Sequence, residues 1–183
     1  ESPHDLMNAG RVQHTGGALD VAMNGTAWLA VQDIRGEEAL TRRGDLRLDA
    51  DGRLETGDGR PVLGEGGAIT VAAGFHTVRI ARNGTVEARA AEDAPYVAVG
   101  RLRLVSPDPA TLTRGPDGLF RSPGAEVDES ATVTVGAVEQ SNVEAAATLV
   151  ELVQQSRSFE MQTKLLAAAR EMDEGSAALM RVE

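Results

Sequence analysis

The side chains of this sequence best placed to bind a metal are the carboxylates around its aspartate–glycine turns. The segment Asp49–Gly52 resembles part of a calcium-binding loop, in which acidic ligands alternate along the chain and a central glycine allows a sharp turn. If Gly52 takes the glycine position, however, Arg47 falls on the first ligand position and Asp58 falls where a glutamate is needed. We therefore expect an ordinary turn and no metal site.

Acid–base, nucleophilic and phosphate chemistry also lack their usual residue patterns. His4 and His14 lie in a polar stretch, and His76 has no spaced histidine or carboxylate that would complete a metal set. The glycine clusters at 57–59 and 64–67 lead into predicted strands, whereas a phosphate site needs a following helix. We predict no catalytic residue, no cofactor and no small-molecule substrate.

Overall composition excludes further classes of function. The net charge is −10, so nucleic acid phosphates would be repelled, and Arg42-Arg43 is the densest basic spot. No cysteine is present, which excludes disulfides and thiolate metal sites. No apolar run approaches the length of a membrane span, and the first residues lack the features of a secretory signal, so we predict no membrane insertion.

For most of the chain, the sequence predicts short β-strands joined by tight turns. Asn24-Gly25 separates two apolar alternating segments and predicts a hairpin with Trp28 as a buried anchor in its second strand. Asp-Gly turns and an Asn83-Gly84 turn continue an antiparallel meander. The segment 96–105 is the most regular strand, and its apolar parity changes at Gly100, which predicts a bulge.

The chain changes character at Ser141. Ser141 and Glu144 form a capping box, which predicts the start of a helix, and the following residues lack proline and contain one glycine, Gly175. Apolar and small residues then recur at three- and four-residue steps and form one stripe, here called the seam. The seam consists of Leu149, Leu152, Val153, Ser156, Phe159, Thr163 and Leu166.

Two interpretations of the seam remain open from its pattern: the helix could fold back onto its own domain, or it could enter an intermolecular coiled coil. Residues 1–140 contain no segment that sustains a 3.6-residue period over four turns, so they offer no partner helix. This favours the second interpretation, in which the seam is a subunit interface.

The predicted fold is mainly β with a long C-terminal helix: an antiparallel, multi-stranded β domain followed by an assembly helix. We expect a connector over residues 1–18, a β-rich domain over 19–140 and the helix over 141–183.

Three stretches resemble bacterial flagellar rod and hook proteins. Leu19–Val31 is similar to a segment of that family that contains an aspartate, a glycine and a tryptophan, here Asp20, Gly25 and Trp28. Thr41–Gly64 is similar to a second family segment, which begins with threonine–arginine and contains an aspartate–glycine pair. Glu139–Lys164 is similar to the C-terminal end of the family. Together these stretches span nearly the whole chain.

The resemblance implies a structural, non-enzymatic component of the basal-body rod in the periplasm, exported by the flagellar type III apparatus. Its implied partners are other rod proteins and copies of itself. Our hypothesis is that residues 19–140 form an outer layer of the rod and that the C-terminal helix lies in the inner core. Family members carry an N-terminal helical segment that pairs with this helix, and we expect the present sequence to start after it.

One alternative from another class is an extracellular calcium-binding or adhesin-type β module, suggested by the many Asp-Gly turns. A glycoside hydrolase using two carboxylates is a weaker alternative, because it rests on acid abundance alone and aromatic residues make up only 3% of the chain.

Overall fold

A computed structural model of the chain describes residues 10–141, 154 and 156–164. The chain divides into two units, Glu1–Asn142 and Val143–Glu183. We call the described part of the first unit, residues 10–141, the β unit. Its strands are β1 (Val12–His14), β2 (Val21–Met23), β3 (Trp28–Gln32), β4 (Glu38–Thr41), β5 (Leu46–Leu48), β6 (Leu54–Thr56), β7 (Leu63–Gly64), β8 (Gly67–Ala68), β9 (Thr77–Ile80), β10 (Thr85–Arg89), β11 (Val97–Arg101), β12 (Leu104–Val105), β13 (Thr113–Arg114), β14 (Phe120–Arg121), β15 (Val133–Val135) and β16 (Ala137–Glu139).

The strands form several small antiparallel sheets. The largest has five strands in the order β12-β3-β4-β14-β13, and a three-stranded sheet has the order β11-β10-β9. Two-stranded sheets pair β1 with β16, β2 with β15, β5 with β6 and β7 with β8. The prediction of a mainly β, antiparallel fold is confirmed.

Two of the predicted hairpins, at Asp51-Gly52 and at Asn83-Gly84, form where the sequence places them. The turn at Gly52 joins β5 to β6, and the turn at Gly84 joins β9 to β10, with φ angles of 77° and 81°. Only glycine adopts such angles without strain. A Cβ atom at Gly52 would also lie 2.3 Å from the carbonyl oxygen of Val71, so the position needs glycine for space as well.

The first predicted hairpin is wrong in its pairing. Asn24-Gly25 does form a turn, with Gly25 at a φ of 60°, but β2 pairs with β15 whereas β3 pairs with β4 and β12. The reason lies in the edges of β3: β4 occupies one and β12 the other, so β2 pairs with β15 instead. The connection between β2 and β3 is held by the Arg42 side chain, which donates to the carbonyl oxygens of Met23, Gly25 and Ala27.

The segment predicted as one regular strand around Gly100 is divided between two sheets. Its first part, β11, pairs with β10, and its last part, β12, pairs with β3. The predicted bulge is present, because the β10–β11 register passes over Val99, the residue before Gly100.

A single main cluster of apolar side chains fills the centre of the β unit. Leu29 and Leu54 are fully buried, and Leu102 is 2% exposed. A second cluster surrounds Trp28, whose ring centroid lies 4.7 Å from that of Phe120. Trp28 is buried, as the sequence predicts for a core anchor.

The C-terminal unit is helical where it is described, at residue 154 and over 156–164. The prediction of one long helix over 141–183 is therefore supported only over this short stretch. Ser141 lies outside the helix, and its predicted capping partner Glu144, like the rest of the expected helix, lies outside the described residues.

Candidate subunit interface

Three seam residues lie in the described helix. Ser156, Phe159 and Thr163 follow each other at three- and four-residue steps, so they share one helix face, and all three side chains are exposed. Phe159 is the largest of them and is 68% exposed. The other predicted seam residues lie outside the described residues: Leu149, Leu152, Val153 and Leu166.

The polar group of Thr163 does not require an external partner. Its hydroxyl donates to the carbonyl oxygen of Phe159 at 3.0 Å and lies 2.9 Å from that of Glu160, both in the preceding turn. Because the hydroxyl is satisfied within the helix, the methyl group of Thr163 remains to extend the apolar surface of Phe159. These two neighbours are suited to packing against another apolar surface.

The chain segments that lead out of the β unit run side by side. Strands β1 and β16 pair antiparallel over three residues, with Val12 opposite Glu139, and we call this pair the stem. The stem continues through a hydrogen bond from the Gln140 N–H to the Arg11 carbonyl oxygen at 2.8 Å. Gly10 packs so closely against Gln140 that a Cβ atom would lie 1.8 Å from its carbonyl oxygen. Residues 12–14 of the expected connector are thus in a strand.

Arg42 connects the stem to the body of the β unit. Its Nη1 donates to the carbonyl oxygens of Gly25 and Ala27 at 3.0 and 2.9 Å, and its Nη2 donates to that of Met23 at 3.1 Å. Nε and Nη2 each lie 2.7 Å from Oε2 of Glu139. The sequence identified Arg42 as part of a basic spot and of the threonine–arginine signature at 41–44, and neither pattern indicated its structural role.

A second charged cluster fixes the loop between β3 and β4. Asp33 accepts backbone N–H groups from Arg35 and Glu37 at 2.8 and 2.9 Å, and Arg121 donates to it at 2.7 Å. The N–H of Glu37, followed by Arg121, lowers the pKa of Asp33. Arg121 also contacts Asp117 at 2.9 Å and lowers the pKa of that carboxyl to about 2. Both carboxylates therefore remain charged and hold the loop at ordinary pH.

The acidic turn that resembles a calcium loop uses its carboxylate internally. Oδ1 of Asp49 accepts the backbone N–H groups of Asp51 and Arg53 at 2.9 and 2.8 Å. This is how an aspartate stabilises a tight turn. Among the described residues, no group of three or more histidine or acidic side chains is arranged to hold a metal ion. Within the same residues, no helix is both apolar enough and long enough to span a bilayer.

Comparison with known proteins identifies the family to which the chain belongs. Residues 22–88 match the family model described as the flagellar hook protein FlgE/F/G D1 domain. Residues 134–179 match that described as the flagellar basal body rod FlgEFG protein C-terminal region. The chain belongs to the FlgE/F/G family of flagellar rod and hook proteins, and it is a structural component of the flagellar basal body with no enzymatic role.

Individual relatives place the chain within that family. The chain is 38% identical to the flagellar basal-body rod protein FlgF of Escherichia coli, over 91% of this chain and 70% of that protein. It is 37% identical to FlgF of Salmonella typhimurium, over 96% and 73% respectively. The rod protein FlgG of Agrobacterium fabrum is 31% identical, over 92% and 67%.

These identities agree with a finer sequence prediction. Residues 105–120 and the compact size of the chain predict the proximal-rod member FlgF, with the distal-rod member FlgG as the alternative. The two enterobacterial FlgF proteins are more similar to the chain than the Agrobacterium FlgG, so the comparisons confirm a rod protein of the FlgF type and leave FlgG a distant alternative.

Proposed function

We propose that the C-terminal segment joins the chain to other rod proteins and to copies of itself, and that the rod so formed transmits motor torque to the hook. The helix over 141–183 would lie in the inner core of the rod, with residues 19–140 as an outer layer. Export would use the flagellar type III apparatus. The observation that carries the proposal is Phe159, an aromatic side chain left 68% exposed by its own chain.

To transmit torque, a rod subunit needs only stiff packing, within itself and against its neighbours. A subunit transmits torque if it keeps its shape under load and if its contacts to neighbours do not slide. The buried core of the β unit provides the first condition. The seam would provide the second, because apolar side chains interdigitated between helices, as in a coiled coil, resist sliding.

Association would give the seam a source of stability. Burying one phenylalanine or leucine against a partner contributes roughly 1.5–3 kcal/mol, and the seam sequence contains Phe159 and three leucines. The gain is realised only on association. The C-terminal segment would therefore remain available for partners during export and become fixed in the rod.

Substitution of Phe159 tests the proposal. Phe159→Ala removes the aromatic ring from the seam, and each seam contact should weaken by roughly 1.5–3 kcal/mol, equivalent to about a tenfold to hundredfold loss in association. Rod assembly, measured by the yield of basal bodies and by swimming, should fall. The thermal midpoint of the β unit should stay that of the parent.

Ser158→Ala provides the matched control. Ser158 is exposed in the same helix, one position before Phe159, and the change removes only a hydroxyl group. It should leave both assembly and folding unchanged. The proposal is contradicted if Phe159→Ala lowers assembly and thermal stability together, or if it lowers neither.

A further inference from the structure

The guanidinium of Arg42 is fully occupied by partners from two parts of the β unit. Arginine has five N–H donors: one on Nε and two on each Nη nitrogen. Nη1 reaches two carbonyl oxygens, Nη2 reaches one carbonyl and the Glu139 carboxylate, and Nε reaches the same carboxylate. The carbonyls of Gly25 and Ala27 belong to the turn between β2 and β3, and that of Met23 ends β2. The side chain thus joins this turn to strand β16.

Glu139 extends the connection to the other chain segment of the stem. Its Oε2 faces Arg42, while its Oε1 accepts the backbone N–H of Gly10 at 2.8 Å. One carboxylate therefore links the segment that enters the β unit, the segment that leaves it, and the turn fixed by Arg42. The pair is shielded from water, with Arg42 at 17% and Glu139 at 7% side-chain exposure, so salt screens it less than a surface ion pair.

The stem needs such a contact, because its own ladder is short. It comprises three residue pairs, and Val12 on its outer side is 51% exposed. An isolated two-stranded ribbon is marginally stable in water. At its base, Gly136 is fixed by a hydrogen bond from its N–H to the Asp20 carbonyl and by two that its own carbonyl accepts from Thr15 and Gly16. Strand β16 also lies beside β2, and Ala137 at its start is buried. The far end of the stem, at residues 10–12 and 139–140, still needs an attachment of its own.

We propose that the Arg42–Glu139 pair is the positioning contact that fixes the direction of the stem. Residue 139 lies three residues beyond Gly136, which in an extended strand is about 10 Å. Two attachment points that far apart define a line, which fixes the direction of the described stem residues 10–14 and 137–140 relative to the β unit. The use of the stem in carrying force to the C-terminal segment rests on the proposed function, but its geometry does not.

Arginine is specifically required by this geometry. Lysine carries the same charge but has one donor atom, which cannot satisfy three carbonyls and a carboxylate spread around a planar fork. Arg42 also stacks over Trp28, with its guanidinium carbon 5.8 Å from the ring centroid. Arg42→Lys leaves one donor atom in place of three, and the nearly isosteric Glu139→Gln removes the negative charge and one of the two acceptor oxygens. Both variants should weaken the positioning contact while disturbing the core little.

The test is a distance measurement within the purified full chain. Because the chain has no cysteine, spin labels can be attached at Gln13→Cys on the stem and Ile34→Cys on the β3–β4 loop. Gln13 and Ile34 are exposed, and the loop at Ile34 is held by Asp33. Pulsed electron paramagnetic resonance then gives the distribution of stem-to-body distances, and a thermal melt reports folding.

We expect a narrow distribution in the parent and a broader or shifted one in Arg42→Lys and in Glu139→Gln. Arg47→Ala, which breaks the exposed pair with Glu55, is the matched control and should keep the parent width. Should Arg42→Lys fail to fold, Glu139→Gln decides the question alone. A parent-like distribution in a folded Glu139→Gln chain overturns the proposal, and because no rod is involved, that result would leave the proposed function standing.

Discussion

The β unit and the helix at 156–164 differ in where they place their apolar side chains. In the β unit, Leu29 and Leu54 are fully buried among other strands, so the unit satisfies its apolar residues within itself. In the helix, Phe159 is 68% exposed and Met161 is 64% exposed. The hydrophobic effect stabilises the first region within the chain, and it can stabilise the second only through contacts made elsewhere.

This difference teaches that one sequence can separate folding from assembly. The β unit obtains its stability from long-range strand pairing and a closed core. A helix shorter than about 12–15 residues is marginal in water on its own, so a described stretch of nine residues depends on further helix or on partners. Substitutions in the two regions should therefore affect different measurements.

The largest effect is expected from Leu54→Ala. Leu54 is fully buried in the main core, and its truncation should cost about 2–5 kcal/mol of unfolding free energy, because the cavity left behind collapses only partly. Denaturant unfolding of the purified chain measures this. If Leu54→Ala unfolds at the same denaturant midpoint as the parent, the stability of the β unit does not come from its buried core, and the contrast drawn between the two regions is wrong.

An intermediate effect is expected in acid. The pKa of Asp117 in the folded chain is about 2 and that of Asp33 is also lowered, so both lie below the values of the unfolded chain. A lowered folded pKa adds stability that is complete above the unfolded pKa and is lost as pH falls toward the folded pKa. The thermal midpoint of the β unit should thus decline from about pH 4 to pH 2.

Asp117→Asn is the variant that sharpens the acid test. It removes one of the two carboxylates beside Arg121, so the midpoint should be lower at pH 7 and should fall less steeply in acid. Circular dichroism melts at a series of pH values report both quantities. If the thermal midpoint of Asp117→Asn falls as steeply in acid as that of the parent, carboxylates other than Asp117 cause the loss of stability in acid.

The smallest effect is expected from Arg47→Ala. Arg47 pairs with Glu55 across the β5–β6 hairpin at 2.7 Å, but its side chain is 58% exposed. Exposed pairs contribute between about 0 and 1 kcal/mol, because water and salt screen them. The unfolding midpoint should shift little and assembly should not change. A loss as large as that of Leu54→Ala would mean that surface charge, and not the core, holds the hairpin.

The sequence predicted local turns well, because their requirement is local. Gly52 and Gly84 sit at positive φ in the hairpins that their Asp-Gly and Asn-Gly contexts indicate. The β2–β15 pairing could not be predicted this way, since it joins residues such as Met23 and Val133 that lie far apart in sequence. The alternation of apolar and polar residues along a strand predicts which face is buried, but it does not determine which strand pairs with it.

For the candidate interface, too, local patterns could be predicted from the sequence and long-range contacts could not. The three- and four-residue spacing of Ser156, Phe159 and Thr163 was sufficient to predict that they share one helix face, and the structure adds that this face is exposed. That it contacts other subunits stays a prediction. Arg42 could not be assigned a role from pattern, because its five donors meet groups from residues 23–27 and from Glu139. Such a contact exists only once the whole β unit has folded.

The central claim, that the seam contacts other subunits, is tested most directly by cysteine cross-linking in assembled basal bodies. Ser156 and Ser158 are both exposed in the described helix, and at about 100° per residue they lie on nearly opposite faces, with only Ser156 on the seam. Ser156→Cys should cross-link to a neighbouring subunit, and Ser158→Cys should not. Equal cross-linking at both positions, or a Ser156→Cys product confined to its own chain, would contradict the claim.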